Sequence, residues 1–232
     1  MLSETDASIY FYRMTKQSLP LEHNYKAPAN ATAQSPAIIM LHGYGSDEND
    51  LFSFASELPD NYHIISLKAP NAMQPYGNAW YAIHFDADDG KFNDTEQAIA
   101  SRELVVQCIE EAIKAYKLSE ENITLLGFSQ GTILSFAVAL SYPGKIKNVI
   151  GLSGYVAEDM LTEDYKNKDH SSLNIYSSHG SVDQVIPVAW ARKTKPFLEN
   201  LGASCAYSEF PVGHAVAPQN FYELKAWLLS QN

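Results

Sequence analysis

Gly127-Phe-Ser-Gln-Gly131 directly follows a short apolar run, Ile123–Leu126, and directly precedes a helical run, Thr132–Leu140. No other feature restricts the folding of this chain as strongly. A chain that passes from strand to helix within five residues brings the two elements into close approach. The flanking positions must then lack bulk, and the central residue is forced into strained backbone geometry. Gly127 and Gly131 supply the room. Ser129 would stand at a helix N-terminus, where free N–H groups and the helix dipole favour developing negative charge. At average glycine and serine usage a chance match arises in roughly one chain in ten of this length, so a glycine-bounded turn with a solvent-facing serine is the competing interpretation. The strand–turn–helix setting is the one a nucleophile elbow demands.

The same rhythm runs through the rest of the chain. Further apolar runs predict strands at Ala37–Leu41, Tyr62–Leu67, Val149–Leu152, Leu173–Tyr176 and Cys205–Phe210. Helical spacing recurs over Thr95–Leu118, with Asp94 as N-cap and Glu96 in the first turn. Helices are also predicted over Gln130–Ser141, ending at Pro143-Gly144, after Pro187, and over Phe221–Leu229. Strands that alternate with helices imply crossovers, hence an α/β architecture with a mostly parallel central sheet and helices on both faces. With no repeat or internal linker, the 232 residues read as one domain, 1–232. Residues 1–35 are its N-terminal strand and loop leading into the core, and Pro20–Ser35 is turn-rich. The polar stretch Tyr155–Ser172 is too short for a large cap domain. In such sheets functional groups gather at the carboxyl ends of the strands.

A serine hydroxyl is a weak nucleophile and needs a base held by a third group. Following Ser129, in the order serine, acid, histidine, the chain offers Asp183 on the loop after the fifth predicted strand and His214 after the sixth. Alone, Asp183 could equally cap the helix after Pro187, and His214 could be a surface histidine. Three residues in order, at the ends of the third, fifth and sixth predicted strands, point jointly to a catalytic triad. His63 falls mid-strand and is expected to pack; His23 and His170 fall in polar loops; His84 falls near the mouth; and His179 is placed to hold the Asp183 loop. No histidine or cysteine pair has metal-ligand spacing and no glycine loop suits a phosphate, so no metal and no cofactor are expected. The oxyanion would need two backbone donors: Gln130, next to the nucleophile, and Tyr44 in Leu41-His-Gly-Tyr-Gly45, which could otherwise be an ordinary glycine turn.

Leu-His-Gly-x-Gly at 41–45, Gly-Phe-Ser-Gln-Gly at 127–131, His-Gly-x-x-Asp-x-Val-Ile-Pro at 179–187 and Gly-His at 213–214 together resemble the phospholipase/carboxylesterase family of α/β hydrolases, of which acyl-protein thioesterases are one branch. The likeness runs from about Pro36 to the C-terminus. It implies an α/β-hydrolase fold, the triad Ser129, Asp183 and His214, and an oxyanion hole from the Tyr44 and Gln130 amides. It further implies that Trp80-Tyr81 matches an aromatic pair lining the acyl site. Gly45-Ser46-Asp47, where thioesterases have Gly-Asp directly, departs from that branch, as do the residues before Trp80 (Tyr76-Gly-Asn-Ala).

A net charge of −11 argues against nucleic acid as a partner and against adhesion to anionic lipid. The start of the chain lacks a basic segment followed by an apolar one, and no apolar run is long enough to span a bilayer, so the location expected is cytoplasmic, without integral membrane association. Cys108 and Cys205 fall among apolar neighbours and are expected to be buried thiols. The substrate expected is a small-molecule or lipid ester: a carboxylesterase acting on short-to-medium acyl chains through an acyl-enzyme. The alternatives are a thioesterase or lysophospholipase taking long chains and, outside catalysis, a ligand-binding module on a hydrolase fold. Oligomeric state leaves no mark in the sequence.

Overall fold

The computed structural model describes residues 16–32, 35–86 and 90–231. Within them seven strands form the central sheet: β1 (His23–Lys26), β2 (Ala37–Leu41), β3 (His63–Leu67), β4 (Ile123–Phe128), β5 (Asn148–Leu152), β6 (Asn174–Gly180) and β7 (Ser204–Phe210). Their spatial order is β1-β3-β2-β4-β5-β6-β7, with β1 antiparallel to β3 and all other pairs parallel. The helices are α1 (Thr95–Tyr116), α2 (Gln130–Ser141), α3 (Val188–Ala191), α4 (Thr194–Asn200) and α5 (Pro218–Ser230). Asp94 caps α1 by accepting from the Gln97 N–H.

The strands are apolar throughout because both faces of the sheet are covered, and their period of two divides the core. Ile39, Leu41, Ile65, Leu125, Val149 and Ile175 face one side, where they meet α1 and α2; Ile38, Met40, Ile64, Leu126, Ile150 and Tyr176 face the other, where they meet α5 and a 3₁₀ turn at Leu51–Ser56. Helix α2 is buried along its whole length, which explains why its sequence shows no polar stripe.

Three expectations change. The turn-rich segment 20–35 contains the edge strand β1, whose residues His-Asn-Tyr-Lys are too polar and too few to be read as a strand. Residues 1–15 and 33–34 of the expected N-terminal strand and loop lie outside the described residues. The helix after Pro187 is two helices, because Pro196 has no N–H for the Arg192 carbonyl. His23 and His170, expected in polar loops, are buried: His23 Nε2 lies 2.8 Å from the Tyr116 hydroxyl, and His170 Nε2 donates to the Tyr165 carbonyl. Cys108 and Cys205 are both buried free thiols, and desolvation pushes their pKa values up to about 12. Among the described residues no helix is long and apolar enough to cross a membrane, and no group of three or more His, Cys, Asp or Glu side chains could hold a metal.

Candidate active site

Ser129 stands between the end of β4 and the start of α2 at φ 53°, ψ −116°, a left-handed backbone region that costs a non-glycine residue about 1–3 kcal/mol. Backbone hydrogen bonds over-determine the turn. The Ser129 N–H donates to the Leu152 carbonyl at 2.9 Å, and the Ser129 carbonyl accepts from Thr132 and Ile133. Both glycines are sterically required: a Cβ on Gly127 would lie 2.5 Å from the Gly131 carbonyl oxygen, and one on Gly131 would overlap the Leu41 carbonyl on β2.

Loops after the last two strands carry the partners. They are tied together by Ser181 N–H donating to the Phe210 carbonyl and Val182 N–H donating to that of Val212. His214 Nε2 lies 2.9 Å from Ser129 Oγ, and its Nδ1 lies 2.7 Å from Asp183 Oδ2. An ionised carboxylate can only accept, so Nδ1 carries the proton and Nε2 presents its lone pair to the serine hydroxyl. Phe128 packs beside the imidazole, ring centroids 5.0 Å apart. Asp183 Oδ1 accepts from the N–H groups of Val185 (2.8 Å) and Ile186 (3.0 Å). Burial alone would raise the Asp183 pKa, but the hydrogen bond to His214 and those from Ile186 and Val185 together hold it below the ordinary aspartate value. His179 braces this loop as its position suggested: Nε2 donates to the Ile186 carbonyl at 2.9 Å and lies 3.3 Å from Asp183 Oδ2.

The backbone N–H groups of Tyr44 and Gln130 have no protein acceptor among the described residues, and both residues border the same cavity as Ser129. His42 fixes the peptide that carries the first of these donors. It is fully buried, which lowers its pKa and keeps it neutral; Nδ1–H donates to the Gly43 carbonyl at 2.7 Å, and Nε2 accepts from the Ala69 N–H at 3.0 Å. The cavity beside Ser129 has a volume of about 270 Å³. Its walls are mostly apolar: Tyr81, Ile83, Ile133 from α2, Tyr155, Val185, Ile186 and Trp190 line it, with Asn93 among them.

One expectation about this wall is corrected. Trp80 does not reach the cavity. It is fully buried, its indole N–H donates to the His42 carbonyl at 2.9 Å, and it supports the loop from behind while Tyr81 lines the cavity. His84 also stays outside, 3.5 Å from the carboxylate of Asp94. Sequence reasoning missed the Gln130 side chain: Oε1 accepts from the Trp80 N–H (2.8 Å) and Nε2 donates to the Tyr81 carbonyl (2.7 Å), clamping that wall to the head of α2. A glutamine next to the nucleophile was the available signal. Tyr155, Ile133 and Trp190 gave none, since their placement depends on how separate loops and helices meet.

The sequence profile of the phospholipase/carboxylesterase family matches residues 25–231. The chain is 30% identical to acyl-protein thioesterase 1 of Kluyveromyces lactis over 190 residues, covering 75% of this chain and 81% of that protein. It is 28% identical to a rice (Oryza sativa subsp. japonica) protein named "Probable carboxylesterase" over 152 residues, 65% of this chain and 57% of the relative, so that match spans little more than half of the rice protein. The fold superimposes on the crystal structure of a Bacillus cereus carboxylesterase with a TM-score of 0.79 at 18% identity, covering 97% of this chain and 99% of the other.

Proposed function

This chain belongs to the phospholipase/carboxylesterase family of α/β hydrolases and is a serine ester hydrolase, and from that premise we propose that it cleaves carboxylic esters of short-to-medium acyl chains with Ser129 as nucleophile, His214 as base and Asp183 as the group that orients the base. The observation that carries this reading is the unbroken relay from Asp183 through His214 to Ser129, which ends at an apolar cavity. His214 removes the hydroxyl proton as Ser129 Oγ attacks the ester carbonyl. The Tyr44 and Gln130 amides receive the oxyanion, and His214 then protonates the leaving alcohol. Water, deprotonated by the same histidine, releases the acid and restores the enzyme.

The chain-length assignment rests on cavity size: about 270 Å³ lies just below the range of roughly 300–1,000 Å³ that holds drug-sized ligands. The test is to assay purified protein on p-nitrophenyl esters of graded acyl length and on matched thioesters. The reading predicts the highest kcat/KM on butanoate to octanoate oxygen esters. A maximum at hexadecanoate, or a preference for thioesters, would overturn the substrate assignment and favour the long-chain alternative.

A further inference from the structure

A second cavity of about 400 Å³ adjoins the first, and the two share Tyr155 and Trp190 as wall residues. These side chains meet edge to face, ring centroids 5.1 Å apart at 72°. Tyr155 comes from the loop after β5, where its hydroxyl oxygen accepts from Asn93 Nδ2 at 3.3 Å; Trp190 comes from the short helix α3 and is 45% exposed. The partition between the cavities therefore includes two side chains on different elements, one of them partly in solvent. Exposed side chains change rotamer quickly, whereas a backbone wall would not yield. Beyond the pair, the second cavity is walled by Val156 and Phe197, with Thr194 buried and Glu158 and Lys193 exposed beside them.

We propose that the second cavity is a distal subsite for an unbranched alkyl chain of the substrate, and that Trp190, packed on Tyr155, is the partition that limits entry to it. Short chains fill the cavity beside Ser129. A longer chain displaces the indole and lays its far methylenes against Val156 and Phe197. This proposal rests on the esterase reading above and adds to it the residue that sets chain length.

The experiment compares wild type, Trp190→Ala, Phe197→Glu and the double variant, each first counted for competent sites with a fluorophosphonate. The readout is the ratio of kcat/KM for p-nitrophenyl decanoate to that for the butanoate, below micelle-forming concentrations. A parallel series of decyl and butyl acetates distinguishes a chain on the acyl side from one on the alcohol side. Each methylene newly seated is worth about fourfold in kcat/KM, so two of them raise the ratio in Trp190→Ala by roughly fifteenfold in one of the two series. Phe197→Glu lowers the ratio, and in the double variant the gain is lost. Ratios within twofold of wild type for Trp190→Ala in both series overturn the proposal, as does a gain that survives in the double variant. Trp190→Ala alters a partly exposed side chain and decides the matter alone if Phe197→Glu fails to fold. Loss of fluorophosphonate labelling in the wild type would instead overturn the esterase reading itself.

Discussion

Asp183→Asn probes the least visible member of the relay. The substitution preserves shape: the amide Oδ1 still accepts from the Val185 and Ile186 N–H groups, which Asp183 now holds at 2.8 and 3.0 Å. What changes is the atom 2.7 Å from His214 Nδ1. An amide NH₂ there can only donate, so the ring must offer Nδ1 as acceptor and carry its proton on Nε2, pointing at Ser129. In that tautomer the imidazole cannot take the hydroxyl proton. The expected loss is on the order of 10⁴ in kcat, about 5 kcal/mol of transition-state stabilisation. The same residue gives stability a pH signature. The Asp183 pKa is lowered in the fold, where the His214 and main-chain hydrogen bonds outweigh desolvation. A depressed carboxylate stabilises the fold above its unfolded pKa of about 3.9, and that contribution is lost as pH falls through the folded value. The amide of the variant has no such titration, so the stability gap between the two proteins should narrow below about pH 4. Steady-state kinetics on p-nitrophenyl butanoate and denaturant unfolding across pH measure both effects. A well-folded Asp183→Asn enzyme retaining more than a tenth of wild-type kcat would refute the tautomer argument.

Two other substitutions test the oxyanion loop and its support. At Tyr44 the backbone, not the ring, is held responsible: Tyr44→Ala should keep kcat within roughly tenfold, while Tyr44→Pro, which deletes the N–H, should lower it by about 10²–10³. Equal damage from both, in variants that melt like wild type and still acylate, would mean that the side chain matters. Gln130→Leu should leave the Trp80 N–H and the Tyr81 carbonyl unpaired, at about 1–3 kcal/mol each. For a chain of this size that lowers Tm by roughly 4 °C or more; an unchanged Tm would show that the clamp is dispensable.

The elbow was legible because its constraints are local: a strand, two glycines and a helix in one stretch of sequence dictate Ser129's setting. Asp183 and His214 were legible by order and by position at strand ends, since a parallel sheet aligns those ends. The wall was not. Trp80 and Tyr81 are chain neighbours with opposite fates: one ring turns inward to donate to His42 and the other faces the cavity. Nothing in two adjacent aromatics says which. Tyr155 and Trp190, 35 positions apart, meet only because the fold brings the loop after β5 against α3. The edge strand β1 hid for a different reason: an edge strand pairs on one side only, so its residues need not be apolar.

The central claim, that the chemistry runs through Ser129, is tested most directly by labelling the protein with a fluorophosphonate and mapping the adduct by peptide mass spectrometry. The account predicts a single adduct, on Ser129, and loss of both labelling and ester turnover in Ser129→Ala. An adduct on another serine, or a folded Ser129→Ala protein that still turns over ester at the wild-type rate, would contradict it.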